Sequence, residues 1–208
     1  MSTIAIGLIS PLSSTCQIAV DCRAKGDCEI CADEGVDLKS MKCCENTFCS
    51  KCFDRHFSFD GKCPFCTTIV LVRKGNQPDG EMSHTVNHSY HLPGYEGAGT
   101  ITITYSFPNG TQQSNHPHPG MPYYGTYRTA YLPANEEGKQ VLQLLRRAFD
   151  MRHVFTVDKS VTTGIDNCVV WNGIHHKTNT HGGTAGFGYP DPTYLSRVRH
   201  ELAAVGIF

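Results

Sequence analysis

The chain reads as an α+β protein with a small metal-held module at its front, and three observations predict this class. Eight of its 11 cysteines form a close pattern between Cys28 and Cys66. The composition changes near residue 75, beyond which only Cys168 remains and Gly, Tyr and His are frequent. That later part mixes a strand of period two with helices of period 3.6. The expected organisation is a flexible tail over 1–25, a zinc module over 26–68 and a mixed α+β domain over 69–208.

The zinc module follows from Cys28-x2-Cys31, Cys43-Cys44, Cys49-x2-Cys52 and Cys63-x2-Cys66. Zinc prefers four tetrahedral ligands, and thiolate is its usual structural ligand. Eight thiolates therefore close two structural Zn2+ sites with no open position. A segment of this length is too short to fold on apolar burial alone, so the metal supplies folding energy. Cys16 and Cys22 have no assigned role and read as free thiols on the tail.

The elements of the second domain follow in order. Ile69 to Val72 is a short β-branched stretch, closed by the turn-rich run from Gly75 to Gly80. From Thr100 to Phe107, Ile101, Ile103 and Tyr105 alternate with threonines, and Pro108-Asn109-Gly110 ends that strand. His116 to Tyr124, rich in Pro and Gly, is loop. Asn135 caps a helix with Glu136 and Glu137 in its first turn, and Val141, Leu144, Leu145, Ala148 and Phe149 form its apolar face. Val154 to Val157 and Cys168 to Trp171 are short strands. Asp191 caps a last helix with Pro192 at its first position. Leu195, Val198, Leu202 and Val205 are its buried face, and Gly206 ends it.

Charge and hydropathy exclude several function classes. The chain has 208 residues and net charge −1, from 18 basic and 19 acidic side chains. Such a balance leaves no bulk electrostatic footprint for nucleic acid or membrane. No run of about 20 apolar residues exists, so no membrane partner is expected. The N-terminus has no Lys or Arg before Arg23 and is broken by Pro11, which makes a poor signal peptide. Disulfides would need an oxidising compartment. The cysteines therefore read as reduced and metal-binding, and the expected location is cytoplasmic or nuclear.

The cysteine gaps of 2, 11, 0, 4, 2, 10 and 2 resemble those of a RING finger. The resemblance implies a cross-brace, with Cys28, Cys31, Cys49 and Cys52 on one zinc and Cys43, Cys44, Cys63 and Cys66 on the other. Asn46 stands where many RINGs have a histidine ligand. A RING grips a ubiquitin-conjugating enzyme charged with ubiquitin. Ile30, Pro64 and Phe65 match its usual contact residues, although Phe65 also suits a place inside the module. Thr67 stands where many RINGs carry a cation that steadies ubiquitin.

In the second domain, Trp171-Asn172-Gly173-Ile174-His175-His176-Lys177-Thr178 sets the only tryptophan near two adjacent histidines. Histidine exchanges protons most readily near neutral pH. Glu201 falls at the edge of the last helix's apolar stripe, where a carboxylate could orient a histidine. Spacing alone does not make the two meet, and a core histidine with a rim glutamate is the ordinary reading.

Leu92-Pro93-Gly94-Tyr95, Arg128-Thr129-Ala130-Tyr131-Leu132-Pro133, the His175-His176-Lys177-Thr178 segment and Gly188-Tyr189-Pro190-Asp191-Pro192 follow one another as in the Deltex C-terminal domain. The likeness runs over 75–207, directly after a RING. The chain therefore resembles a Deltex ubiquitin ligase of the short, Deltex-3 type. The resemblance implies ubiquitin ligase activity, a place in Notch signalling, and NAD or ADP-ribose as ligand. It implies a ligand pocket that includes Thr163, Gly164, Trp171, Asn172, His175, His176 and Tyr189, with Trp171 either pocket wall or core. It further implies His175 and Glu201 as the catalytic pair, and ADP-ribosylated protein or nucleic acid as acceptor. ADP-ribosylation of the ubiquitin C-terminus is a second implied activity. Phe187 stands where some relatives have a histidine, so one polar contact of those relatives is missing. An adaptor that reads ADP-ribose without effective ligase activity is the competing reading, and Asn46 and Thr67 keep it open.

Overall fold

In a computed structural model of the chain, the described residues are 18–19, 25–41, 46–57, 62–67 and 74–208. The chain divides into two compact units, Met1–Leu71 and Val72–Phe208, and each has its own buried cluster. Cys16, Cys22, Cys43, Cys44 and the Ile69–Val72 stretch lie outside the described residues.

The first unit holds β1 (Ile18–Ala19), β2 (Lys25–Gly26), β3 (Val36–Met41), β4 (Thr47–Cys49) and α1 (Ser50–Phe57). The other three strands all pair antiparallel with β3. Ile18 opposite Met41 is thus a strand contact made from the stretch that reads as a tail. Leu38 and Phe48 are buried beside Cys28, Cys49, Cys52 and Cys63. Two buried hydrocarbon side chains among the described residues fall far short of a self-sufficient core. Sulfur at the centre is what such a module needs if metal holds it.

In the second unit, β5 (Glu81–Asn87), β6 (Thr100–Phe107), β7 (Gly110–Thr111), β8 (Pro122–Tyr123) and β9 (Thr126–Pro133) come first. β5, β6 and β9 form one antiparallel sheet with β6 in the middle. Ile101, Ile103, Tyr105 and Phe107 of β6 are buried, because alternate residues of a strand share a face. Ala130 and Leu132 of β9 pair with Ile103 and Ile101 and extend that face. β5 is an edge strand exposed at every residue but the half-buried Met82. Pro122 and Tyr123, inside the expected loop, pair with β7.

Helix α2 (Glu136–Asp150) starts at Asn135, whose side chain accepts a bond from the Gly138 N–H at 2.8 Å. It buries Val141, Leu142, Leu145, Ala148 and Phe149, while Leu144 packs only partly. β10 (Phe155–Asp158) and β11 (Cys168–Trp171) pair antiparallel, with Phe155 opposite Trp171. Helix α3 (Tyr194–Ala204) packs on α2. It begins two residues later than the expected Pro192, with Thr193 at its cap. The Asp191 carboxylate is engaged by Lys177 and Arg197, and it also accepts bonds from the Thr193 N–H and hydroxyl. No described helix is long and apolar enough to cross a membrane.

Candidate functional site

The metal centre is built by chain turns. Cys28 and Cys31 precede β3, and Cys49 and Cys52 span the β4–α1 junction. Their four sulfur atoms lie within 4.8 Å of one another, and Cys31 Sγ and Cys49 Sγ are 3.8 Å apart. A tetrahedron with Zn–S bonds of about 2.3 Å has edges of about 3.8 Å, so the set fits zinc. Burial pushes the Cys28 thiol up. N–H groups of Cys31, Cys49 and Ile30 outweigh that and bring it down to about 6, while the Cys31 thiol is pushed up to about 12 and that of Cys52 is also raised, so in the absence of metal the cluster concentrates its negative charge on Cys28.

First and third cysteine pairs thus converge, as a cross-brace requires. Cys63 is buried and Cys66 exposed, and the partners expected for them lie outside the described residues. The two Cys-x2-Cys turns are alike. The Ala32 N–H donates to the Cys28 carbonyl at 2.8 Å, and the Thr67 N–H donates to the Cys63 carbonyl at 2.9 Å. Ala32 and Thr67 both take left-handed φ, 56° and 58°. On these turns Ile30 is half-buried, Pro64 is exposed and Phe65 is 39% exposed. The Phe65 ring lies 6.1 Å from that of Phe48, so Phe65 both packs on the module and reaches solvent.

In the second unit a cleft of about 610 Å³ opens between the end of β11, the segment after it and the Ser160–Thr163 turn. Trp171, Asn172, Thr163, His175 and His176 line it, as do Arg128, Ser160, Thr162, Thr178 and Phe187. Trp171 stacks between Phe155 (4.4 Å) and His176 (4.2 Å) and is both core and wall. Gly164, at φ +71°, adjoins the lining turn. Tyr189 does not reach the cleft: it is fully buried, and its hydroxyl donates to the Tyr131 carbonyl at 2.9 Å. Arg128 had no sequence signal beyond its place in the quoted motif. It is half-buried on β9, and no acidic side chain among the described residues pairs with it.

His175 and Glu201 meet. The His175 Nδ1 and Glu201 Oε1 are 2.7 Å apart, and the His175 backbone N–H donates to Glu201 Oε2 at 2.8 Å. One carboxylate therefore clamps both ring and backbone. It fixes the tautomer with the proton on Nδ1 and leaves Nε2 as the basic atom. The imidazole side chain is 66% exposed and the carboxylate only 18%. An exposed base backed by a sheltered acid is the arrangement that serves proton transfer in acyl-transfer enzymes.

Below the dyad, Lys177 Nζ and Asp191 Oδ2 form an ion pair of 2.6 Å, with both side chains buried. Burial acts to raise the Asp191 carboxyl, but bonds from Lys177, Arg197 and Thr193 hold it well below the usual carboxylate range. The Tyr194 hydroxyl donates to the His175 carbonyl at 3.2 Å. These contacts tie the His175 segment to the start of α3, the helix that carries Glu201. Beside it, Phe187 is held at φ +54°. Gly188 is required next, because a Cβ there would lie 1.8 Å from the His181 carbonyl oxygen.

Fold and site together define a class: a cysteine module whose first and third pairs form a set that fits zinc, followed by a separate α+β unit with a histidine–glutamate dyad whose histidine lines a cleft of nucleotide size. A sequence model of the Deltex C-terminal domain matches residues 74–207. The human protein named probable E3 ubiquitin-protein ligase DTX3 is 48% identical over 181 residues, 86% of this chain and 52% of its own. Mouse E3 ubiquitin-protein ligase DTX4 is 46% identical over 149 residues, 70% of this chain and 24% of its own. A shorter match is the rat Polycomb group RING finger protein 6, 37% identical over 43 residues, 21% of this chain and 12% of its own. The chain belongs to the Deltex family. It spans about half the length of the DTX3 proteins it matches.

Proposed function

We propose that this chain is a RING-type ubiquitin ligase whose C-terminal unit binds ADP-ribose or NAD and completes the acceptor site. The observation that carries this reading is the His175–Glu201 dyad at the rim of a nucleotide-sized cleft. The names of the relatives and the cysteine set in the first unit that fits zinc support it. In this reading a second structural zinc binds Cys43, Cys44, Cys63 and Cys66. Ile30, Pro64 and Phe65 grip the charged conjugating enzyme. A reducing compartment, cytoplasm or nucleus, keeps the thiols available to metal.

The reaction is an acyl transfer. A ribose hydroxyl of ADP-ribose, free or carried on a protein or nucleic acid, attacks the carbonyl carbon of the ubiquitin thioester. His175 Nε2 accepts the hydroxyl proton, and Glu201 stabilises the imidazolium. The C–S bond breaks, the conjugating enzyme's cysteine leaves with the proton that His175 returns, and an ester joins ubiquitin to the ribose. With NAD bound, the C-terminal carboxylate of ubiquitin would instead attack the ribose carbon bearing nicotinamide. That forms ADP-ribosyl-ubiquitin and releases nicotinamide. Arg128 supplies the cation for the pyrophosphate, and Trp171 and Thr163 wall the nucleotide.

Reconstituted transfer to free ADP-ribose tests this. The native chain should form the ester adduct. His175→Ala and Glu201→Ala should each lose it, with a rate fall of about 10²-fold or more, while discharge of the thioester onto free lysine continues. Ile30→Ala should lose both transfers but keep ADP-ribose binding. If ADP-ribose binds and no adduct forms while lysine discharge proceeds, the C-terminal unit is a reader rather than part of the catalyst.

A further inference from the structure

His175 borders two clefts. Besides the large one, a cleft of about 260 Å³ is lined by His175, Thr184, Phe187, Tyr194 and Arg197, among others. Phe187, like His175 and His176, lines both clefts. The Phe187 residue is 62% exposed. The left-handed backbone that presents it costs about 1 kcal/mol for a residue with a Cβ. The turn around it fixes that conformation, with the Phe187 N–H donating to the Thr184 carbonyl and the Asn179 N–H donating to the Phe187 carbonyl, both at 3.2 Å.

A base that takes a proton from an attacking hydroxyl must also stand beside the carbon under attack, because the reacting atoms come within about 3.5 Å. Two substrates must therefore reach His175 at once. The large cleft falls within the roughly 300–1,000 Å³ of ordinary small-molecule sites, and the small one falls below it. We propose that the small cleft receives the C-terminal Gly-Gly of ubiquitin and brings its thioester carbonyl to His175, while the large cleft holds the ribose hydroxyl. This rests on the acyl-transfer reading above. A chain end without side chains suits a slot walled by Thr184 and Phe187. Arg197 places a fixed cation in the lining, since its guanidinium donates to Asp191 Oδ2 at 3.0 Å and Thr193 Oγ1 at 2.9 Å. Negative charge grows on the carbonyl oxygen during attack, and a preorganised cation beside it stabilises that charge. As the tetrahedral adduct collapses, the C–S bond breaks and the proton held by His175 passes to the leaving sulfur.

The test fills each cleft separately in the full chain. Thr184 is an exposed turn residue, so Thr184→Trp blocks the small cleft without touching the core, and Thr162→Trp does the same for the large one. Steady-state transfer to ADP-ribose is measured for both. NMR titrations with the peptide Leu-Arg-Gly-Gly and with ADP-ribose report binding without activity. Thr184→Trp should lower kcat by about tenfold or more and leave the KM for ADP-ribose within about twofold. Thr162→Trp should raise that KM. The peptide should shift Thr184 and Arg197 signals in the native chain and lose this effect in Thr184→Trp. A raised KM in Thr184→Trp would overturn the proposal by making the small cleft an extension of the nucleotide site. Peptide shifts confined to the large cleft, or none at all, would also overturn it. A native chain that binds the peptide at Thr184 yet forms no adduct would support the assignment of the cleft and sink the acyl-transfer reading instead.

Discussion

His175 and His176 are neighbours in sequence with opposite surroundings, and their roles divide accordingly. His176 is buried, its Nδ1 donates to the Ile174 carbonyl at 2.9 Å, and its Nε2 accepts from the Tyr105 hydroxyl at 2.9 Å. Both nitrogens are used, so the ring is neutral and serves as wall and pillar. Burial pushes it down from the usual 6.5 to about 4. Between those values the unfolded chain holds a proton that the folded one refuses, so stability falls as pH drops through that window. The loss amounts to about 3 kcal/mol at most. Unfolding followed by Trp171 fluorescence should show this slope, and His176→Gln should flatten it by about one proton. Trp171 is the only tryptophan and stacks on the histidine, so the signal belongs to this unit. Arg128 offers a second measurement. Losing a charge-assisted bond to the pyrophosphate costs about 1.5–3 kcal/mol, so Arg128→Ala should weaken ADP-ribose binding about 10- to 100-fold by calorimetry.

The distance between His175 and Glu201 is set by elements. Glu201 rides on α3, and His175 follows β11. The buried Lys177–Asp191 pair joins the His175 segment to the start of α3. Removing one partner of a buried pair leaves the other charge uncompensated, at a cost of about 3–5 kcal/mol. Asp191→Ala should lower denaturant stability by that amount, and unchanged stability would show that the pair does not brace the helix. In the sequence Asp191-Pro192 looks like a helix entry; in the structure one carboxylate oxygen of Asp191 still accepts from the Thr193 N–H just ahead of α3, while the other is held by a lysine 14 positions back in the chain. β6, α2 and the β10–β11 pair could be read locally, since period, cap and β-branched content agree there. β5 could not, because it is exposed along nearly its whole length and its short Met82–His84–Val86 alternation is too weakly apolar to stand out.

At the scale of the whole molecule, two units rest on different physics. The second has a hydrocarbon core that runs through β6, α2 and α3. The first has Leu38 and Phe48 among thiols. Chelation of zinc should therefore unfold the first unit and end ubiquitin transfer, and Trp171 fluorescence should stay native. A simultaneous change in Trp171 would mean that the second unit also depends on metal.

Cysteine spacing alone determined that the first module ligates metal, because a metal demands a ligand count that short-range spacing reveals; that Cys28, Cys31, Cys49 and Cys52 share a centre was implied by the RING resemblance and is seen in their convergence. Periodicity likewise determined the central strand and α2, since both patterns arise between near neighbours in the chain. Only the tertiary structure decided which histidine is exposed, that Glu201 reaches across 26 positions to hold it, and that Tyr189 belongs to the core. Those outcomes depend on which surfaces pack together to exclude water, and contacts between distant residues leave no period or spacing to read.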